Sequence, residues 1–485
     1  MAGIRYQFGE FELDAQARRL SRSGDLLSIS DRHFEVLLHL VSHPGELLSK
    51  DALVSAAWGD VAVTDNSLEQ AVSALRRTLG TGADGRPFIE TVPRRGYRFI
   101  TDVTRTASRA SDDSLDALLA PHRAWLEGLA ALETLERDRI RDAREAFERV
   151  LRMGPEHPLA HVGLANACAM QFETTRADAA PDVEALAAAA AHARAGCRLE
   201  PQSGEAWATL GFVLDRSGQH VDAVAALRRA VTLEPDNWRH HFRLSYASWG
   251  EERLRSARRT LALLPGFPLA HWMAATVHVA RNLLDEAEHE LNAGIDVQHR
   301  QGAHGRFSAV GLHWLKGLIH LSRNEADTAL AEFERELASE SAGHLYTREC
   351  CANTWYAIGA LRLRQDRVAD ARLAFQRVLE RVSIHPLAHI ALAGAGEAAG
   401  SVSASAIVAA GASSRLGVVE TAIARGVLLA LHGDRGGAAR IVEQALAAAP
   451  AGHAGWLLPV EPLLHVTAHP GVWSPSLERL RARAA

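Results

Sequence analysis

Residues 91–99 read TVPRRGYRF. Thr91, Val92, Tyr97 and Phe99 favour extended backbone. Between them, Pro93, Arg94, Arg95 and Gly96 have the composition of a tight turn. The stretch is expected to be a hairpin with two bare guanidinium groups at its tip. The rest of the chain has to account for those charges.

Immediately upstream, NSLEQAVSALRRTLG predicts a helix over 66–79. At about 100° per residue, Leu68, Val72, Leu75 and Leu79 fall on one stripe and are assigned to the core. Asn66, Gln70, Ser73 and Arg77 fall on the opposite stripe. That face has amides, a hydroxyl and a guanidinium but no acid. It suits phosphates and base edges better than an ordinary solvated face. Asn66 and Glu69 have the spacing of a capping box. Arg76 lies about 80° from the apolar stripe, so it is read either as a phosphate contact or as a structural ion pair.

Further upstream the chain alternates as short strands: YQFGEFEL, RRLSRSG and DLLSIS. A first helix follows, capped by Ser30, with Phe34, Leu37, Leu38 and Val41 at i, i+3, i+4 and i+7. His43-Pro44-Gly45 ends it. A second helix opens at Ser49 and stops near Trp58-Gly59. Local charge follows this layout. Residues 1–65 hold 6 Lys/Arg against 10 Asp/Glu, whereas residues 66–105 hold 7 Arg against 4 Asp/Glu. The positive charge lies with the third helix and the hairpin.

This order of elements, with the loop WGDVAVTD and the closing FIETVPRRGYRF, resembles the OmpR/PhoB-type winged-helix DNA-binding domain over residues 6–102. It is most similar to the branch that includes CadC, ToxR and HilA. The resemblance implies an α+β winged helix, with an N-terminal sheet, three helices and a C-terminal β-hairpin wing. It implies that helix 66–79 lies in the major groove of double-stranded DNA and that wing 91–99 reaches the minor groove. A narrow minor groove concentrates negative potential, which accounts for Arg94 and Arg95 at the tip. The implied DNA-binding set is Asn66, Gln70, Ser73, Arg76, Arg77, Arg94 and Arg95, with Trp58 against the backbone and Lys50 at a phosphate. Tyr97 and Phe99 are assigned to anchoring the wing. Loop 59–65 is where relatives touch RNA polymerase. Because one such module buries limited surface, either pairing on tandem half-sites as a homodimer on DNA or help from polymerase is a further expectation.

Residues 104–114 are polar and are read as a linker, which gives a first domain at 1–103 and a second at 115–485. The second part repeats. In WATLGFVLDRSGQHVDAVAALRRAVTLEP (207–235), Trp207, Gly211, Leu214, Ala223, Leu227, Ala230 and Pro235 recur at a fixed spacing. Gly317, Ala329 and Phe333 repeat the frame, as do Gly359, Ala371 and Phe375, and Gly426, Ala438 and Ala445. The pattern resembles tetratricopeptide repeats and implies an all-α solenoid of eight or nine units, capped at its open end by the tail around Trp473. Phe212, Trp314 and Tyr356 are candidate lining for a groove that takes a peptide, protein or small-molecule effector.

Other classes find little support. Over 485 residues the chain is 47% hydrophobic with a formal net charge of −5, and no apolar run reaches the length of a membrane span. No signal-peptide core opens the chain, so a cytoplasmic location is expected. GTGADG (80–85) has the glycine spacing of a dinucleotide loop but follows a helix and precedes a strand, the reverse of that fold. His157/His161 and His385/His389, in two HPLAH copies, have i, i+4 spacing but no completing ligand, so no metal is assigned. No cofactor or catalytic residue is assigned, and an enzyme is not expected. Lysine occurs only at Lys50 and Lys316 amid abundant arginine and alanine, a composition of GC-rich bacterial genes. The function read from sequence is a sequence-specific DNA-binding transcriptional regulator with a solenoid for a signal or partner. The alternative is an interaction scaffold whose winged helix binds protein instead.

Overall fold

The computed structural model describes residues 5–58, 65–82, 85–106, 112–133, 137–302, 309–340, 344–394 and 417–485. Loop 59–65, the expected polymerase contact, falls outside them up to Asp65. The chain divides into two compact units. The first comprises residues 1–130, 143–164 and 195–203, and the second 131–142, 165–194 and 204–485.

The first unit opens with β1 (Arg5–Phe8), β2 (Phe11–Asp14), β3 (Arg19–Arg22) and β4 (Asp25–Leu27), an antiparallel meander. Alternation buries Tyr6, Phe8, Phe11, Leu13 and Leu20 on one face. Helix α1 (Asp31–Ser42) is capped by Ser30, whose hydroxyl accepts from the His33 amide at 3.4 Å. A short β5 (Leu47–Leu48) precedes α2 (Lys50–Trp58), where the Ser49 hydroxyl accepts from the Ala52 amide at 3.1 Å. Helix α3 runs Asp65–Leu79, so Asn66 is its second residue and not the cap that its spacing with Glu69 suggested. The hairpin β6 (Ile89–Val92) and β7 (Gly96–Phe99) pairs with β5 to give a sheet in the order β5-β7-β6.

The two sheets meet through aromatic rings. Phe8 packs edge-on to Phe99 at 5.1 Å, and Phe11 edge-on to Phe88 at 5.4 Å. The wing therefore grows out of the domain core. Residues 104–106, read from sequence as the start of a linker, form β8 (Thr104–Thr106) and pair with β1, extending the first sheet to the order β4-β3-β2-β1-β8. Arg18 is buried with Asp31 and Glu35 as partners. Its guanidinium lies 4.8 Å from the Phe34 ring and 5.3 Å from that of Trp125, in the helix Asp112–Glu133. Two carboxylates and two rings supply the compensation that a buried cation needs.

The remainder is built of antiparallel helix pairs. In the second unit these are Gly204–Arg216 with His220–Leu233, Trp238–Ala247 with Gly250–Leu263, Pro268–Ala280 with Leu284–Gln301, Leu312–Ser322 with Ala326–Ala338, Thr347–Arg364 with Val368–Arg381, and Val418–Leu431 with Arg435–Ala448. The repeat frame has the packing role its residues implied. A Cβ on Gly317 or Gly359 would lie 2.4 Å from the ring of Phe333 or Phe375, so the helices of each pair cross where the glycine leaves room. In the first unit Phe147 does the same against Gly128 and Gly163. The turn inside several pairs uses a left-handed residue, such as Asn282, Asn324 or Asp366.

The HPLAH copies are helix caps. The Nδ1 atoms of His157 and His385 accept the amides of Ala160 and Ala388, each at 3.2 Å. Burial holds both imidazoles down at about 4. Proline fills the first turn, and Nε2 of His161 and of His389 sits 3.0 and 2.8 Å from the carbonyls of Pro155 and Ser383. Among the described residues no group of three or more His, Cys, Asp or Glu side chains could hold a metal. None of their helices is long and apolar enough to cross a membrane.

The tail does more than cap. Its last helix, Pro470–Arg483, packs on Arg435–Ala448 through the fully buried Trp473 and Leu480. The residues before it fold back onto the first helices of the pairs.

Candidate nucleic-acid interface

Helix α3 buries Leu68, Val72, Leu75 and Leu79, each 2% exposed or less, as its apolar stripe requires. That orientation turns Gln70, Ser73 and Arg77 to solvent. Asn66 lies on the helix, but its side chain is outside the described set. Glu69 is also exposed, so this side of α3 is not free of acid. The Glu69 carboxylate pairs with Lys50 Nζ at 2.9 Å.

The hairpin tip is a turn closed by the Arg95 amide donating to the Val92 carbonyl at 3.0 Å. Pro93 takes its second position, and Arg94, at φ +62°, takes its third. This is the pattern of a type II turn, in which glycine or asparagine usually fills the left-handed position. A bulky residue held there is strained, and such strain often marks a functional position. Arg94 and Arg95 are both exposed. Gly96 has no alternative: at φ +143° a Cβ would lie 1.9 Å from the Leu48 carbonyl oxygen. Tyr97 and Phe99 are buried and fix the base of the hairpin.

The family described as "Transcriptional regulatory protein, C terminal" matches residues 24–99. This segment is an OmpR/PhoB-type DNA-binding domain. The transcriptional activator CadC of Escherichia coli (strain K12) is 33% identical over 96 residues, covering 20% of this chain and 19% of that protein. The transcriptional regulator HilA of Salmonella typhimurium is 36% identical over 95 residues, covering 20% of this chain and 17% of HilA. The chain thus spans about a fifth of the length of these curated relatives. Among solved structures, the DNA-binding domain of E. coli CadC matches at 30% identity with a TM-score of 0.20, covering 22% of this chain and all of that one. A tetratricopeptide-repeat family matches residues 129–204, 209–268 and 356–414.

Within the OmpR/PhoB-type domain, three expected contacts have other partners. Arg76 donates from Nε and Nη2 to the Ile89 carbonyl at 3.0 and 2.8 Å, and from Nη2 to Thr91 Oγ1 at 2.6 Å. It ties α3 to β6 by hydrogen bonds to a carbonyl and a hydroxyl, partners that neither the phosphate nor the ion-pair reading included. Trp58 is only 9% exposed, with the Arg32 guanidinium 5.8 Å from its ring centre. It is a packing residue that presents Arg32, which the sequence reading passed over. Lys50 is engaged with Glu69, though a half-exposed pair of this kind contributes little and exchanges readily. Arg98, inside the quoted motif but left unassigned, lies on β7 with Glu90 3.7 Å away and 39% of its side chain exposed.

The candidate solenoid residues differ among themselves. Phe212 lies under the guanidinium groups of Arg216 and Arg243, at 5.7 and 5.5 Å. Trp314 belongs to an apolar cluster that includes Val460 of the tail. Tyr356 donates its hydroxyl to Glu461 Oε1 at 2.7 Å. The last two therefore face the chain's own C-terminal segment.

Proposed function

We propose that this chain is a sequence-specific DNA-binding transcriptional regulator. Helix α3 lies in the major groove with Gln70 and Ser73 at base edges and Arg77 at phosphate, and Asn66 joins them. Arg94 and Arg95 enter the neighbouring minor groove from the wing tip, and the repeats receive a protein partner. The observation that carries this reading is the strained, exposed Arg94-Arg95 turn, held to α3 by Arg76 inside an OmpR/PhoB-type domain. Base-edge groups and minor-groove cations on one rigid body can read sequence and shape together. Arg32 and Arg98 add phosphate contacts at the margins.

The test is binding of the full chain to fragments from upstream of its own gene, measured by fluorescence anisotropy at several salt concentrations. The Arg94→Ala/Arg95→Ala double variant is expected to weaken binding and to flatten the plot of log K against log salt by between one and two ions. Gln70→Ala is expected to change which fragment is preferred. Binding to every fragment with an unchanged slope in the double variant would exclude the wing from the interface. No binding to any fragment would favour the scaffold alternative.

A further inference from the structure

Residues 452–469 contain two 3-10 turns, Leu458–Val460 and Val466–Ala468, and no longer element. Between the last pair of the solenoid and its final helix, this segment crosses the first helices of four pairs. The Gly455 amide donates to Glu420 Oε1 at 3.2 Å, on Val418–Leu431. The Trp456 ring stands edge-on to Trp272 at 5.9 Å, on Pro268–Ala280. Val460 packs with Trp314 and Leu315, and Thr467 donates to the Ser322 carbonyl, both on Leu312–Ser322. On Thr347–Arg364, Tyr356 donates to Glu461, while Arg364 donates to the Pro462 carbonyl at 2.6 Å and to His465 Nε2 at 3.1 Å. Leu458, Leu463, Leu464 and Val466 are buried in the cluster that holds Tyr356, Val419 and Ile423.

These contacts have the character of peptide recognition. Solenoid side chains capture a backbone carbonyl, one carboxylate and a row of apolar groups, and Pro459 and Pro462 bring no amide that needs a partner. The segment also has costs that a purely structural plug would not need. Glu461 is 7% exposed, and burying a carboxylate opposes folding. His465 sits at φ +52°, a left-handed conformation for a side-chain-bearing residue.

We propose that the row of first helices is a peptide-binding groove whose resident ligand is the chain's own segment 453–467, and that a partner protein enters it by presenting a turn-rich, proline-containing segment of the same chemistry. That chemistry is bulky apolar residues flanking an acid between prolines or other amide-free positions. Tyr356 takes the acid and Arg364 the backbone. The final helix, anchored by Trp473, keeps the displaced segment tethered. This reading does not depend on the DNA-binding assignment.

The test uses the full chain and a fluorescent synthetic peptide of residues 452–469. Wild type, with its groove filled, is expected to bind the peptide poorly. Glu461→Arg sets a cation beside Arg364, unseats the resident segment and is expected to bind the wild-type peptide at least tenfold more tightly than wild type does. Adding Tyr356→Phe to that variant is expected to weaken the peptide about tenfold through loss of the hydrogen bond to the acid. A folded Glu461→Arg protein that ignores the peptide, or equal binding by it and wild type, would overturn the proposal. Should Glu461→Arg fail to fold, amide exchange of the wild type decides. The amides of 455–467 are expected to exchange faster than those of the Arg435–Ala448 and Pro470–Arg483 helices. Exchange at the same rate as those helices would overturn the groove reading.

Discussion

The guanidinium of Arg76 grips the Ile89 carbonyl with two donors, Nε at 3.0 Å and Nη2 at 2.8 Å. This bond joins the helix that would read bases to the strand that leads into the wing. Arg76→Ala is expected to lower stability by roughly 1–3 kcal/mol, the range for leaving a paired acceptor without its charged donor. Its salt dependence of DNA binding should stay unchanged. Arg77→Ala is the opposite case: no change in Tm, and a salt slope shallower by about one. Thermal melts with anisotropy titrations on both variants separate the roles. A shallower slope for Arg76→Ala would return it to the phosphate contacts.

Arg94 separates stability from binding within one residue. Its φ of +62° suits glycine better than arginine. Arg94→Gly relieves about 1–2 kcal/mol of left-handed strain and gives back about 0.4–1 through the looser unfolded chain, so it is expected to leave stability unchanged or raise it by up to about 1 kcal/mol, while weakening DNA binding. A variant that melts higher and binds worse would mark the strain as kept for function.

Gly96→Ala probes the base of the same turn. A methyl group cannot occupy a point 1.9 Å from the Leu48 carbonyl oxygen, so β7 must part from β5. The expected cost is about 3 kcal/mol, at the upper end for overpacking. Circular dichroism melts of the variant check it. A loss under about 1 kcal/mol, the lower end of that range, would mean that β5 is free to move.

The tail has two titrating groups that oppose each other. Burial raises the Glu461 carboxyl from 4.5 to about 7, against the lowering effects of the Tyr356 and Leu463 hydrogen bonds and of Arg364. Burial lowers the His465 imidazole from 6.5 to about 4, helped by Arg364, Arg435 and His469. On release Glu461 gives up a proton, so its contribution weakens seating as pH rises from 4.5 towards 7. Released His465 takes up a proton, so its contribution weakens seating as pH falls from 6.5 towards 4. Between 4.5 and 6.5 the two cancel. Exchange protection at Leu463 and Leu464 is expected to be nearly flat there in wild type. It should rise with pH in Glu461→Gln and fall with pH in His465→Asn, by up to about tenfold per unit. Asparagine tolerates the left-handed backbone at that position. Identical slopes in all three proteins would refute the assignment.

Much of the architecture could be read from local pattern. Leu68, Val72, Leu75 and Leu79 share one stripe, so the solvent side of α3 followed from helix period alone. Gly359 and Phe375 belong to one repeat frame, so their contact needed only the repeat. What escaped depends on distant pairing. Arg76 reaches an oxygen thirteen residues away in sequence, and no wheel shows that β6 will be beside it. Trp58 looked available until α1 brought Arg32 over it. Thr104-Arg105-Thr106 has no apolar alternation of its own and becomes a strand only because β1 offers an edge. The inward course of 452–469 has no periodicity to announce it, since its prolines suppress regular structure.

That borrowed strand also dictates where the DNA-reading module can be excised. Thr106, Arg105 and Thr104 lie opposite Arg5, Tyr6 and Gln7. A fragment that stops at residue 103 strips β1 of this cover. The bare amides and carbonyls along its flank would then recruit a sister molecule, and the sample would clump for reasons unrelated to its affinity for a promoter.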